Sequence, residues 1–305
     1  MKELVIISGK GGTGKTSVAA SFAILADRPV IADCDVDAAD LHLVLAPSIR
    51  ERHEFRSGRE ARIRPDACRR CGACAESCRF GAIVPDDRAG KVRLGDVAAS
   101  FATGPAGIAL RVDPFSCEGC GVCQLVCPAG AIDLLERTCG EWMISDTRCG
   151  PMVHARLGVG GENSGKLVSI VRREARRIAE ESGRTTIVVD GPPGLGCPVI
   201  ASIGGASLVL VVTEPTVSGA HDLARVLSLT RHFAVPAMVC VNRWDLNPEM
   251  TERIGAEARE AGARVAGRIR YDRAVTLAQM QETAVAESNS PAATDIRRVW
   301  ANLEV

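Results

Sequence analysis

The chain has 305 residues, 46% hydrophobic and 24% charged, which suits one large or two modest folded domains and excludes a disordered tail. Its 37 Lys plus Arg balance 37 Asp plus Glu, so charge gives no reason to expect a nucleic-acid partner. No run approaches the roughly 18 consecutive apolar residues of a spanning helix and the chain opens in an apolar strand, so a cytoplasmic protein without a membrane partner is expected, whose 13 cysteines argue for metal or redox chemistry over a disulfide scaffold.

In chain order, the apolar run at 4–7 predicts a strand, 9–14 a glycine-rich turn, 15–26 a helix and 30–32 a second strand. From 50 to 70 the composition shifts to Arg, Pro, Asp and Glu with few aliphatics, which reads as a linker into an inserted, cysteine-rich segment. Beyond 146 the alternation resumes: helix 165–181, strands 185–189 and 207–213, helix 218–232, strand 237–241, helix 249–261, strand 265–269 and two closing helices. Short, continuously apolar strands between helices imply an α/β domain with a mostly parallel sheet covered on both faces. The expected division is 1–52 and 146–305 for that domain and 53–145 for a small α+β insert.

Gly9-Lys10-Gly11-Gly12-Thr13-Gly14-Lys15-Thr16 satisfies the phosphate-loop pattern and lies between a predicted strand and helix, where the mechanism requires it. Backbone N–H groups and the helix N-terminus face phosphate oxygens, Lys15 reaches the β- and γ-phosphates and Thr16 can hold Mg²⁺. The expected nucleotide contacts run from Gly9 through Ser17, and the alternative is a glycine turn with a chance lysine. The second lysine, Lys10, makes the stretch resemble the deviant Walker A family of ParA, MinD, Mrp and nitrogenase iron protein. That resemblance implies a P-loop NTPase fold, ATP and Mg²⁺, and an ATP-dependent homodimer in which Lys10 crosses to the partner's nucleotide. It also implies that Asp35 positions the attacking water and lies near Mg²⁺, with Asp37 and Asp40 as alternatives. Asp190, ending the apolar strand before Gly-Pro-Pro-Gly194, would be the Walker B aspartate on Mg²⁺, the Gly194 backbone the γ-phosphate sensor and Asn242 the adenine reader. The stretches Gly161 to Lys166 and Val212 to Thr216 look like the same subgroup. Arg270 departs from it where relatives often have proline.

The insert contains a repeat. Cys68, Cys71, Cys74 and Cys78 follow the spacing Cys-x2-Cys-x2-Cys-x3-Cys, and Cys117, Cys120, Cys123 and Cys127 repeat it 49 positions later. Two such halves are the signature of a bacterial two-cluster ferredoxin, in which the fourth cysteine of each half serves the other cluster. This assigns Cys68, Cys71, Cys74 and Cys127 to one [4Fe–4S] cluster and Cys117, Cys120, Cys123 and Cys78 to the other, with zinc as the rival metal. Gly72 and Gly121 suit the tight turns, Arg79 replaces the proline found as Pro128, and the 38 residues between the halves suggest an elaborated connection. Cys34, Cys139, Cys149, Cys197 and Cys240 remain. Burial accounts for them by default, but Cys197 stands at the offset from Asp190 at which nitrogenase iron protein ligates a cluster bridging its dimer.

Three roles are compatible with these motifs: ATP-driven assembly or insertion of iron–sulfur or related metal centres into an apo metalloprotein target, ATP-gated electron donation to a redox partner, and positioning of the MinD or ParA kind. Assembly is the first expectation. The third needs a membrane or DNA surface, and the C-terminal stripe Ile296, Val299, Trp300 and Leu303, with only Arg297 and Arg298 as basic neighbours, reads better as core.

Overall fold

Strands rich in Val, Ile and Leu form the middle of a sheet because both of their faces are covered. The computed structural model describes residues 1–86, 107–158, 160–161 and 163–304. Their elements are β1 (Lys2–Ser8), α1 (Lys15–Leu25), β2 (Val30–Asp33), α2 (Leu41–Leu45), β3 (Ser48–Ile63), α3 (Ala73–Glu76), β4 (Ile83–Pro85), β5 (Leu110–Val112), α4 (Val122–Leu125), β6 (Ile132–Thr147) and β7 (Gly150–Leu157). There follow α5 (Ser164–Ser182), β8 (Thr186–Pro193), α6 (Cys197–Ile203), β9 (Leu208–Thr213), α7 (Val217–His232), β10 (Ala237–Asn242), α8 (Pro248–Glu260), β11 (Arg264–Ile269), α9 (Ala274–Met280) and α10 (Pro291–Asn302). The main sheet has the order β11-β10-β9-β1-β8-β2-β7-β6-β3. Strands from β11 to β7 pair parallel, and β6 pairs antiparallel with β7. The mostly parallel, helix-flanked sheet is the expected class.

The predicted linker over 50–70 is corrected: most of it is β3, a 16-residue strand. Its Arg residues are exposed and its Glu residues exposed or, at Glu60, half-buried, while Phe55, Ser57 and Ala61 are buried at two- or four-residue spacing, so charge masks a period of two. Strand β7 was also unforeseen, although five of its eight residues are buried.

The described chain divides into two compact units: Met1–Glu54, Gly140–Gly158 and Asn163–Val305 in one, Phe55–Cys139 and Val159–Glu162 in the other. In the first, α5 buries Leu167, Val168, Val171, Ala175 and Ala179 along one helical face and ends at Gly183 in the left-handed region (φ 64°). Ser290 caps α10 by accepting from the Ala293 N–H, with Pro291 in its first turn. That helix places Ile296, Val299 and Leu303 in the core with Leu4, Ile6 and Leu210, and Trp300 packs on Phe22 at 5.0 Å between ring centroids. The C-terminal stripe is therefore core. Buried Glu3 on β1 accepts from Arg172 Nε at 2.6 Å and also pairs with Arg176, which ties α5 to the sheet.

The second unit keeps its own core of Ala61, Cys74, Ile83, Leu110, Cys123 and Ile132, with β4 and β5 paired antiparallel. Helices α3 and α4, four residues each, both start after a left-handed glycine, Gly72 at φ 81° and Gly121 at φ 80°. These are equivalent positions of the cysteine repeat. Residues 87–106, most of the connection expected to be elaborated, lie outside the described residues.

Candidate functional site: a phosphate loop and two cysteine-lined cavities

β1 ends at Ser8 and the chain turns through Gly12 and Gly14, both left-handed (φ 80° and 86°), into α1. A side chain at 14 would come within 2.4 Å of the Asn242 amide nitrogen, so glycine is needed there for space as well as for φ. The turn delivers Lys15 to a buried seat, its Nζ 2.7 Å from Asp190 Oδ1 and 3.2 Å from Asp35 Oδ2. Asp190 and Asp33 are register partners on neighbouring parallel strands, and Asp33 Oδ1 accepts from the Asp35 N–H at 3.1 Å. Three carboxylates thus face one ammonium. Burial opposes the Lys15 charge, but Asp190 and Asp35 outweigh it and hold its pKa above the ordinary value. Burial, reinforced by Asp190, pushes Asp33 well above the usual carboxylate range, and burial raises Asp35 against the pull of Lys15.

Asp33 Oδ2, Asp190 Oδ2 and the Thr13 hydroxyl are buried without a hydrogen-bond partner among the described residues. Unpaired carboxylate and hydroxyl oxygens beside a glycine turn fit a divalent cation with a phosphate ligand, which would supply what they lack. The adjoining cleft, about 500 Å³, suits a nucleotide and is lined by Gly11 to Ser17, Asp35, Asp40, Asn242, Tyr271 and Gln279 among others. Asn242 Nδ2 donates to the Thr13 carbonyl at 2.7 Å and its Oδ1 accepts from the Arg243 N–H, which fixes the amide at the cleft wall. Ser17 Oγ accepts from Gln279 Nε2 at 2.9 Å, and Arg270, also on the wall, is held by Asp295 at 2.6 Å. Asp37 does not line this cleft.

Of the expected site residues, Gly9, Lys10, Asp190 and Gly194 are absent from the cleft lining, Asp190 reaching it through Lys15. The Gly194 N–H donates to the Ser8 carbonyl at 2.9 Å, leaving no free donor there. Lys10 points to the end of β9, with its Nζ 3.4 Å from Glu214 Oε2, 3.4 Å from Thr216 Oγ1 and 3.2 Å from Ser218 Oγ. Glu214 also binds Arg243. Asp33, Glu214 and Gln279 were not foreseen. Asp33 could have been found as the last residue of an apolar strand, the position at which open α/β sheets present ligand groups.

In the second unit, one cavity is lined by Cys68, Cys71, Cys74 and Cys127 and another by Cys78, Cys117, Cys120 and Cys123. In each set one cysteine is buried (Cys74, Cys123) and one exposed (Cys71, Cys120). Backbone N–H groups of Arg70 and Ala131 donate to Cys68 Sγ and Cys127 Sγ at 3.4 and 3.3 Å. Among the described residues no three Cys, His, Asp or Glu side chains close on one metal-ion position. Four thiols spaced around a cavity fit the corners of a cubane better than a tetrahedral zinc site. Of the remaining cysteines, Cys34 and Cys240 are buried, burial raising Cys34 well above the usual thiol range and Cys240 to about 12. Cys139 Sγ donates to the Ser57 carbonyl at 2.9 Å, Cys149 is half-buried and Cys197, at the start of α6, is exposed.

A family model described as a 4Fe-4S dicluster domain matches residues 67–131. A protein of Methanocaldococcus jannaschii named uncharacterized protein MJ0578 is 33% identical over 249 residues, covering 80% of this chain and 79% of that protein. Among solved structures, the septum site-determining protein MinD of Pyrococcus horikoshii OT3, complexed with Mg-ADP, superposes with a TM-score of 0.58 at 14% identity over 99% of this chain and 96% of the other. A ParA family ATPase from Chlorobium tepidum TLS gives 0.55 at 16% identity over 100% and 99%. At these identities the likeness to MinD and ParA is one of fold. Among the described residues no helix is long and apolar enough to cross a membrane.

Proposed function

The chain belongs to the family of the Methanocaldococcus jannaschii protein MJ0578 and joins a MinD/ParA-type P-loop fold to a 4Fe-4S dicluster domain, and from this we propose that it hydrolyses ATP to gate electron delivery through a two-cluster ferredoxin insert. The observation that carries the ATPase reading is the seat of Lys15 between Asp35 and Asp190, beside two unpaired buried carboxylate oxygens. On nucleotide binding, Lys15 moves its charge from Asp190 and Asp35 to the β- and γ-phosphates. Thr16, Asp35 and Asp190 would hold Mg²⁺, which neutralises phosphate charge when bound. Asp35, released from Lys15, orients the attacking water beside the Mg²⁺ position. Lys10 must leave Glu214 before it can reach a second protomer's nucleotide.

The eight cysteines would hold two [4Fe–4S] clusters, each storing one electron. Cys74 and Cys123 lie in the core of their unit, which favours retention of a cluster over its release. That retention supports electron donation, whereas metal-centre assembly is the first expectation from sequence. The exposed Cys197, which could share a cluster across a dimer, is compatible with either reading. The test uses anaerobically purified protein carrying iron and sulfide. ATP-dependent reduction of an acceptor without loss of iron supports gated electron delivery, whereas ATP-dependent passage of iron to an apo-ferredoxin supports assembly. Absence of phosphate release would remove both.

A further inference from the structure

The two halves of the cysteine repeat agree in spacing and differ in charge. Between their first and second cysteines, one half carries Arg69 and Arg70 and the other Glu118 and Gly119. Both arginines line the cavity of Cys68, Cys71, Cys74 and Cys127. Both are exposed, and among the described residues neither guanidinium is in an ion pair. Glu118 and Gly119 line the other cavity, whose lining has no arginine; apolar side chains line both, Phe80, Ile83 and Val112 here and Ile63, Leu110 and Ile132 in the first.

The backbone adds an independent sign. Arg70 and Gly119 occupy equivalent positions and both are left-handed, at φ 55° and 61°. That conformation costs a residue other than glycine about 1 kcal/mol. At 119 a side chain is impossible, since a Cβ would fall 2.1 Å from the Arg59 carbonyl oxygen. At 70 glycine would be the unstrained choice, yet the chain carries a strained arginine there. Strain kept at a site that does not need it for folding points to a role for the side chain.

We propose that Arg69 and Arg70 make the first cysteine set the higher-potential one-electron site of the pair, so that an electron arriving at the second set comes to rest at the first. The inference rests on the ferredoxin reading. Reduction adds one negative charge to a site. Two neighbouring guanidinium groups favour that charge, while a carboxylate in the same loop of the other set opposes it. With clusters bound, the one held by the second set would lose one electron and the one held by the first would gain it. No proton or bond changes hands, and an external one-electron reductant refills the second set. Because both arginines are exposed, added salt narrows the separation.

The test converts the first loop into a copy of the second with the double variant R69E/R70G, which also relieves the left-handed strain. Full-length parent and variant are purified anaerobically, assayed for iron and sulfide, and titrated with dithionite while the reduced signals are followed by electron paramagnetic resonance. Two separated midpoints are expected in the parent. In the variant the upper midpoint falls by about tenfold in its reduction equilibrium, or about 59 mV for one electron, and the lower stays in place. The charge-preserving pair R69K/R70K keeps the parent's midpoints. Coincident midpoints in the parent, no movement in R69E/R70G, or movement of the lower midpoint each overturn the assignment. Iron and sulfide for fewer than two clusters would overturn the ferredoxin reading itself, so failures of the two remain distinguishable.

Discussion

Without nucleotide, Lys15 serves as the counter-ion for Asp33, Asp35 and Asp190. Replacing it with Ala removes the phosphate ligand and leaves buried carboxylates uncompensated. K15A should lose ATP binding and also about 3 kcal/mol of stability near pH 8, since a buried charge has lost its partner. Asp33 and Asp35 have folded-state pKa values above their unfolded ones. Between the two the folded state binds more protons, so this contribution to stability falls as pH rises from the ordinary carboxylate range, and acid should restore part of the loss in K15A. Urea unfolding at pH 5 and pH 8 decides it, and equal stability of K15A and parent at pH 8 would remove Lys15 from this role. D35A should bind ATP and fail to turn it over. Retained hydrolysis would move the water-positioning role to Asp40, which also lines the cleft. His154 titrates with the opposite sign. Burial, with His42 and Arg52 nearby, lowers its pKa to about 4, and its ring is hydrogen-bonded to Ser145 at 2.8 Å. Below about pH 6.5 the unfolded chain takes up a proton that the folded one refuses. Up to about 3 kcal/mol is thereby lost on going to pH 4, and H154Q should flatten that limb of the stability profile. Lys15, Asp35 and Asp190 were legible because a motif names them. Asp33 was marked only by its place at a strand end, and His154 not at all, because its environment comes from neighbours far away in sequence.

At the scale of elements, the end of β9 holds Lys10 in place through Glu214, Thr216 and Ser218. The stretch from Val212 to Thr216 was noticed in the sequence without a role, since its proximity to Lys10 arises only when β1 and β9 pair side by side. Partly exposed ion pairs are worth up to about 1 kcal/mol. E214Q should therefore tighten ATP-dependent dimerisation by up to about fivefold, read by light scattering with a non-hydrolysable analogue, while K10A should retain ATP binding and lose both dimer and hydrolysis. A weaker dimer in E214Q would mean that Glu214 belongs to the assembled interface rather than to a latch. The elements that position the phosphate loop were readable because they are buried on both sides and apolar throughout. β3 was not, because its register with one covered face is carried by Phe55, Ser57 and Ala61 among arginines and glutamates.

At the scale of the whole molecule, cysteine spacing and glycine spacing each announce one chemistry, and neither says how they communicate. The chain supplies the connection: Asp33 and Asp35 at the end of β2 lead through α2 into β3, which begins in one unit and ends in the other, and β6 returns. A strand takes the place of the expected linker, and γ-phosphate contacts commonly order switch segments such as the one at the end of β2. Iron and sulfide analysis should give about eight of each per chain. With the clusters in place, nucleotide should alter the midpoint potentials or the affinity for a redox partner. By linkage, a bound partner should alter ATP affinity by the same factor, about 1 to 3 kcal/mol where allosteric coupling is typical. The measurement compares no nucleotide, ADP and a non-hydrolysable ATP analogue, followed by ATP titration with and without partner. Identical potentials and affinities in all three states would reduce the molecule to a passive fusion, because a switch that changes nothing at the cysteine-lined cavities cannot gate what leaves them.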